Sequence, residues 1–148
     1  KKAEAYEGGI RVPTIVSWPG RSKPGRVEAP VPITDWVPTL AALTGFKPAG
    51  DPKWDGTNIL PLLTRHEAPA ERPIYTVAPG WRSRALRLGD WKLIVSGEGA
   101  KAVRELYHLA ADPSEKNNLA AAQPDRLRDL LARLETVAQR DRDSVAKD

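Results

Sequence analysis

Cysteine and methionine are both missing from this 148-residue chain, and phenylalanine occurs once. Without cysteine, this segment has no disulfides and no thiolate metal ligands, an absence that leaves the redox compartment open. With no methionine and Lys1 in first place, the chain is expected to be processed or truncated. Its first residues lack the basic start and the apolar run of ~7 to 15 residues that mark a secretory signal. Nowhere do ~18 apolar residues follow one another, so no membrane partner is expected. The two histidines, His66 and His108, have no partner at metal-ligand spacing, and no Gly-x-Gly-x-x-Gly or Walker pattern supports nucleotide binding.

Charge is plentiful but unclustered. Twenty-three basic residues stand against 19 acidic ones, giving a net +4 that is interspersed along the chain. A nucleic-acid binder would concentrate its cations in a stripe, so no nucleic-acid partner is expected. At 41% hydrophobic and 28% charged residues, the composition fits one ordinary domain or two small ones.

The periodicity changes near residue 70. Before it, Thr14-Ile15-Val16-Ser17-Trp18, closed by Pro19-Gly20, reads as a short strand covered on both faces. Thr34 is a predicted N-cap for a helix that places Trp36, Val37, Leu40 and Leu43 on one side and ends at Gly45. Asp35 reads as an anion near the positive end of that helix rather than as a metal ligand. Residues 46–72 read as irregular. After them, 74–77 and 84–88 are predicted strands, Gly89-Asp90 is a hairpin turn into a strand over 91–95, and 105–109 supplies another. Leu127, Leu130, Leu131, Leu134, Val137 and Ala138 recur at three- and four-residue steps, the apolar stripe of a final helix with Pro124 in its first turn. Residues 141–148 are charged and are expected to fray.

Lys2-x-x-x-Tyr6-Glu7-Gly8-Gly9-x-Arg11-x-Pro13, followed by Trp18-Pro19-Gly20, sets a cation ahead of a glycine pair. The glycines permit positive φ and close approach of backbone. Further along stand Asp35-Trp36-Val37-Pro38-Thr39-Leu40, Asp55-Gly56 with Leu60-Pro61-Leu62-Leu63, and Gly89-Asp90-Trp91-Lys92-Leu93-Ile94. Glu105-Leu106-Tyr107-His108-Leu109 and Asp112-Pro113-x-Glu115-x-x-Asn118-Leu119 complete the set. In this order, over nearly the whole chain, the motifs resemble the C-terminal portion of a type I sulfatase of the alkaline phosphatase superfamily.

The resemblance implies an α/β fold: residues 1–70 as the end of a sulfatase catalytic domain, and 71–148 as a small α+β subdomain with an antiparallel sheet packed by a C-terminal helix. It implies a parent enzyme that hydrolyses aryl or carbohydrate sulfates with a formylglycine nucleophile and a calcium ion. The partners would be a sulfated small molecule or glycan and the missing N-terminal catalytic portion, in a periplasmic, secreted or lysosomal setting. Lys2 aligns with the family's sulfate-contacting lysine. An ammonium there can serve both a sulfate oxygen and the ester oxygen on which charge builds. Glu7, Gly8, Gly9 and Arg11 would shape the turn that carries Lys2, with an internal ion pair for Arg11. The segment itself lacks the nucleophile and most metal ligands, so no esterase activity is expected of it alone.

Ser22-Lys23-Pro24-Gly25-Arg26 satisfies the Ser-x-Pro-x-Arg spelling used for formylglycine formation, but it falls in a basic, proline-containing connection and is rejected as the nucleophile. Of the five tryptophans, Trp18, Trp36 and Trp91 sit within strand or helix patterns and are expected to pack inside. Trp54 and Trp81 lie in loop-like regions and are candidate substrate contacts. Two alternatives stay open: a non-catalytic anionic-glycan-binding or packing module, and part of a related phosphoester or phosphonate hydrolase.

Overall fold

The apolar runs between residues 74 and 108 pair as a four-stranded antiparallel sheet in sequence order: β1 (Ile74–Val77), β2 (Ser83–Leu88), β3 (Trp91–Ser96) and β4 (Val103–His108). The structure, a computed structural model, describes residues 4–143. Leu88 pairs with Trp91 across the Gly89-Asp90 turn, where Gly89 takes φ 56°, a left-handed conformation that a side chain would oppose. The described residues form two compact units, one joining the residues up to Val12 with those from Glu71 onward, the other spanning Pro13–Ala70.

In the sheet unit, helix α4 (Pro124–Asp143) begins at its predicted proline and lays its leucine stripe over one face of the sheet. Leu130 and Leu134 are fully buried against Leu86, Leu93, Val95 and Leu106, and Leu127, Leu131 and Val137 pack around them. Burying each such side chain stabilises by ~1.5 to 3 kcal/mol. Trp91 packs against this core, with Arg126 over its ring and the edge of His108 against it. The pleat turns Ala85, Ile94 and Tyr107 to the opposite face, where Ala5 is enclosed with them and Leu109. Next comes α1 (Glu7–Ile10), a single helical turn.

The other unit holds α2 (Trp36–Thr44) and α3 (Leu60–Arg65). Gly45 closes α2 at φ 71°, as its position predicts. Thr34 is not the N-cap: a 3₁₀ turn over Ile33–Asp35 leads into the helix. Asp35, fully buried, accepts the Thr57 N–H at 2.8 Å on Oδ1. Thr39 donates to the Asp35 carbonyl at 2.6 Å and accepts the Ile59 N–H at 2.9 Å. These bonds tie the 57–59 loop to the helix. A Cβ on Gly56 would lie 2.0 Å from the Thr34 carbonyl oxygen, so only glycine allows this approach.

Two expectations fail here for one reason. Residues 14–18 form no strand, since they have no ladder partner among the described residues, and Ile15 is 93% exposed. Likewise Val37, Leu40 and Leu43 on α2 are exposed, whereas Thr39 and Ala41 are buried. Apolar periodicity identifies a face that can be covered, but what covers it comes from elsewhere in the tertiary structure. Trp18 and Trp36 are half-buried.

Candidate functional site

Lys2 lies outside the described residues. The described chain starts at Glu4, and the three consecutive residues that follow are held by the sheet unit. Ala5 is enclosed in the second core cluster. Tyr6 donates its hydroxyl to Glu105 Oε2 at 2.7 Å, and Tyr107 donates to Glu105 Oε1 at 2.8 Å, so one carboxylate is shared between two phenols. The Tyr6 and Tyr107 rings meet edge to face with centroids 6.3 Å apart. Accepting the Tyr6 proton, Glu105 pushes that hydroxyl up to about 12, with burial adding to the effect. Burial first, then the same carboxylate, raises the Tyr107 hydroxyl too. Both phenols therefore stay protonated donors at neutral pH.

Glu7 is held at three atoms. Its backbone N–H donates to Glu115 Oε2 at 2.6 Å. Oε1 accepts from Lys92 Nζ at 2.8 Å, and Oε2 lies 3.9 Å from Arg87 Nη1. Lys92 is 1% exposed and also stands 2.8 Å from Glu115 Oε1. That second contact is ionic by distance without hydrogen-bond alignment, so the Glu7 bond is the directional one. Two carboxylates meet two cations in the cluster. Such balance is what lets charges leave water, because an unpaired buried ion costs several kcal/mol.

Each partner is aimed by its own local structure. Arg87, Lys92 and Tyr107 stand in one row across β2, β3 and β4. Glu115 comes from the tight turn after β4, at φ 53°, a conformation side chains rarely adopt. Asp112 holds that turn by accepting the Lys116 and Asn117 N–H groups on Oδ2, each at 2.8 Å. Asn118 Oδ1 accepts from Leu106 and Ala120, both at 3.0 Å, and so fastens the turn to β4.

The remaining candidate residues fall in α1, in the segment just after it and in exposed loops. Gly8 and Gly9 sit inside the helical turn α1 without positive φ, and a Cβ on Gly8 would meet nothing within 4 Å. Arg11 is exposed; among the described residues of this segment, Glu7 pairs with Lys92 and Arg87. Its preference follows from burial, since a cation on a central strand meets Glu7 out of water. Trp54 is 36% exposed in an irregular stretch. Trp81 is 61% exposed and takes φ 56° after Gly80 at 67°.

Tyr6, Lys92, Glu105, Tyr107 and Glu115 stand in the quoted motifs, but neither they nor Arg87 carry a site role that the sequence alone suggests. One signal was available: a lysine inside the apolar run Trp91-Lys92-Leu93-Ile94-Val95 faces the same side as Ile94. On a half-solvated strand that reads as a surface charge. Ser22 donates its hydroxyl to the Trp18 carbonyl at 3.1 Å and closes a local turn, a structural job for that serine. His66 lies against Gly25, with Nε2 3.2 Å from the Lys23 carbonyl, so it packs the same basic loop. Among the described residues, no group of three His, Asp or Glu side chains could hold a metal ion. The described side chains alone therefore make no site for the calcium ion that the resemblance assigns to the parent enzyme.

A sequence-family profile described as Sulfatase matches residues 1–46, the stretch holding the Tyr6-Glu7-Gly8-Gly9 run. This chain resembles the type I sulfatases. An N-acetylgalactosamine-6-O-sulfatase of Bacteroides thetaiotaomicron is 33% identical over 94% of the chain, and an arylsulfatase K of Danio rerio is 29% identical over 99%. The sulfatase-like chain spans 29% of the length of each. Its fold is similar to that of a solved protein of glycosaminoglycan metabolism in Bacteroides thetaiotaomicron, with TM-score 0.80 and 33% identity over 91% of this chain and 30% of that one. Ps i-CgsB, solved in complex with k-i-k-neocarrahexaose, gives TM-score 0.68 and 29% identity over 80% of this chain and 27% of its own. These neighbours share an α/β fold with an antiparallel sheet and helices. No described helix is long and apolar enough to cross a membrane.

Proposed function

We propose that this chain is the C-terminal part of a sulfatase, with residues 1–70 ending the catalytic domain and 71–148 forming a C-terminal subdomain. The parent hydrolyses a sulfate ester to an alcohol and sulfate. The observation that carries this reading is the convergence of four separated motifs on one buried cluster: Glu7, Lys92, Glu105 with Tyr107, and Glu115. Their spacing in sequence has no local reason. It acquires one if the Tyr6-Glu7-Gly8-Gly9 run must be held where its preceding lysine meets an anion. The exposed Ile15, Ile33 and Phe46, within the stretch that matches the sulfatase profile, support a larger domain around residues 1–46.

In this reading Lys2 supplies a fixed ammonium to the sulfate and to the departing ester oxygen. The formylglycine and the calcium ion come from the remainder of the enzyme, in a periplasmic, secreted or lysosomal setting. The full-length protein is expected to release sulfate from an aryl sulfate and from a sulfated hexosamine, whereas the 148-residue chain alone releases none above background. Turnover by the purified chain, free of host sulfatase, would contradict this assignment, as would a full-length protein that cleaves only phosphate esters.

The relatives' names support a sulfated glycan as the substrate class. Trp81 offers an exposed ring next to the exposed Arg82, an aromatic and cationic pair suited to an anionic sugar. Trp54 is the second candidate contact. Trp81→Ala is expected to raise KM several-fold for a sulfated oligosaccharide while leaving an aryl sulfate unaffected. Equal KM changes for the two substrates would remove Trp81 from the substrate path.

A further inference from the structure

Helix α4 covers one face of the sheet, and the opposite face carries two adjacent rows: Ala85, Ile94 and Glu105 in one, Arg87, Lys92 and Tyr107 in the next. Cations, a carboxylate and a phenol are mixed there with apolar side chains, so neither water nor a second apolar helix suits that face. Residues 5–7 suit it in turn. Ala5 is enclosed with Ala85, Ile94, Tyr107 and Leu109, Tyr6 donates to Glu105 at 2.7 Å, and Glu7 accepts from Lys92 at 2.8 Å. We infer that this face is an interaction surface for the Ala5-Tyr6-Glu7 tripeptide, which makes residues 5–11 a clasp that opens and closes with the sheet as one cooperative unit straddling residues 13–70.

Neither half is complete without the other. A single turn such as α1 has no stability of its own in water, so residues 5–11 take their order from the sheet. Without them Ile94 and Ala85, 1% and 2% exposed, lose their cover, and Lys92 keeps Glu115 Oε1 at 2.8 Å without hydrogen-bond alignment. A buried charge stripped of a partner is strongly destabilising. The grip extends past the strands, since the Glu7 N–H donates to Glu115 Oε2 at 2.6 Å in the turn that Asn118 fastens to β4. Elements whose buried contacts are mutual open together. The cooperative boundary then falls after Val12 and before Glu71, so loosening β3 also loosens residues 5–11, within the stretch that matches the sulfatase profile. This coupling does not depend on what the parent hydrolyses.

Native-state hydrogen exchange on the full-length protein, followed by mass spectrometry in rising denaturant, tests this. The N–H groups of Glu7, Gly9, Ile10 and Arg11 are hydrogen-bonded and report on the clasp. Peptides covering 5–11 and 91–96 are expected to lose protection together, while those covering 36–44 follow their own course. Glu7→Ala should cut protection by ~10²- to 10³-fold in both 5–11 and 91–96, the scale for removing one partner from a buried ion pair, and leave 36–44 unchanged. If 91–96 keeps its protection while 5–11 loses it, the segment is a surface strap and the inference fails. A loss shared equally by 36–44 would make one unit of the whole chain and overturn it as well. Should Glu7→Ala not fold, Tyr6→Phe removes only the hydroxyl donated to Glu105 and should lower protection in both segments by ~10-fold. With that variant, an effect confined to 5–11, or none at all, refutes the clasp.

Discussion

Lys2→Ala in the full-length protein is expected to lower kcat for a sulfate ester by ~10²- to 10³-fold, the usual cost of removing one preorganised electrostatic contact to a developing charge. Sulfate carries diffuse negative charge in the ground state, and more accumulates on the ester oxygen as the S–O bond breaks. An ammonium whose donors reach both oxygens lowers the second state more than the first, so kcat falls rather than KM alone rising. Lys2→Arg keeps the charge but spreads it over a planar fork, and it should recover only part of the loss. Lys1→Ala is the internal comparison, because Lys1 does not align with the family's lysine. Equal effects of the Lys1 and Lys2 substitutions would mean that bulk charge, not a contact, is what the assay reads.

Lys92→Met is expected to cost ~3 to 5 kcal/mol of stability, the scale for removing one partner from a buried ion pair. The reason is what remains. With the ammonium gone, the carboxylates of Glu7 and Glu115 face each other out of water, and among the described residues Arg87, at 3.9 Å from Glu7, is left to oppose them. Adding Glu7→Gln removes one of the two anions and should restore a large part of the loss, although the single Glu7→Gln change is itself destabilising. Urea unfolding followed by tryptophan fluorescence measures all three variants. If Lys92→Met unfolds at the wild-type midpoint, the cluster is solvated in solution and its energetic role disappears.

These two results concern residues of very different legibility. Lys2 could be picked out by the motif around it, while Lys92 offered only its place in an apolar run, which reads equally well as a surface charge on a half-solvated strand. The final helix was readable because its leucine stripe and its first-turn proline are properties of one element. The same holds for the Gly89-Asp90 turn and the Gly45 cap. Residues 14–18 misled for the opposite reason: an apolar run has strand character only when a neighbouring strand takes up its backbone groups. Gly8-Gly9 misled too, since two glycines permit a left-handed turn without requiring one, and here they continue a helical turn.

By itself the sequence determined the four strands after residue 73, the amphipathic helix that covers them, and the ordered motifs resembling a sulfatase. All of these are encoded within runs of neighbouring residues, where side-chain period and turn chemistry act directly. Only the tertiary structure decided that Glu7 pairs with Lys92 rather than with nearby Arg11, and that Glu115 closes the cluster. It did so because the free energy of a buried charge depends on which partners surround it, and those partners stand 85 and 108 positions from Glu7 in the chain.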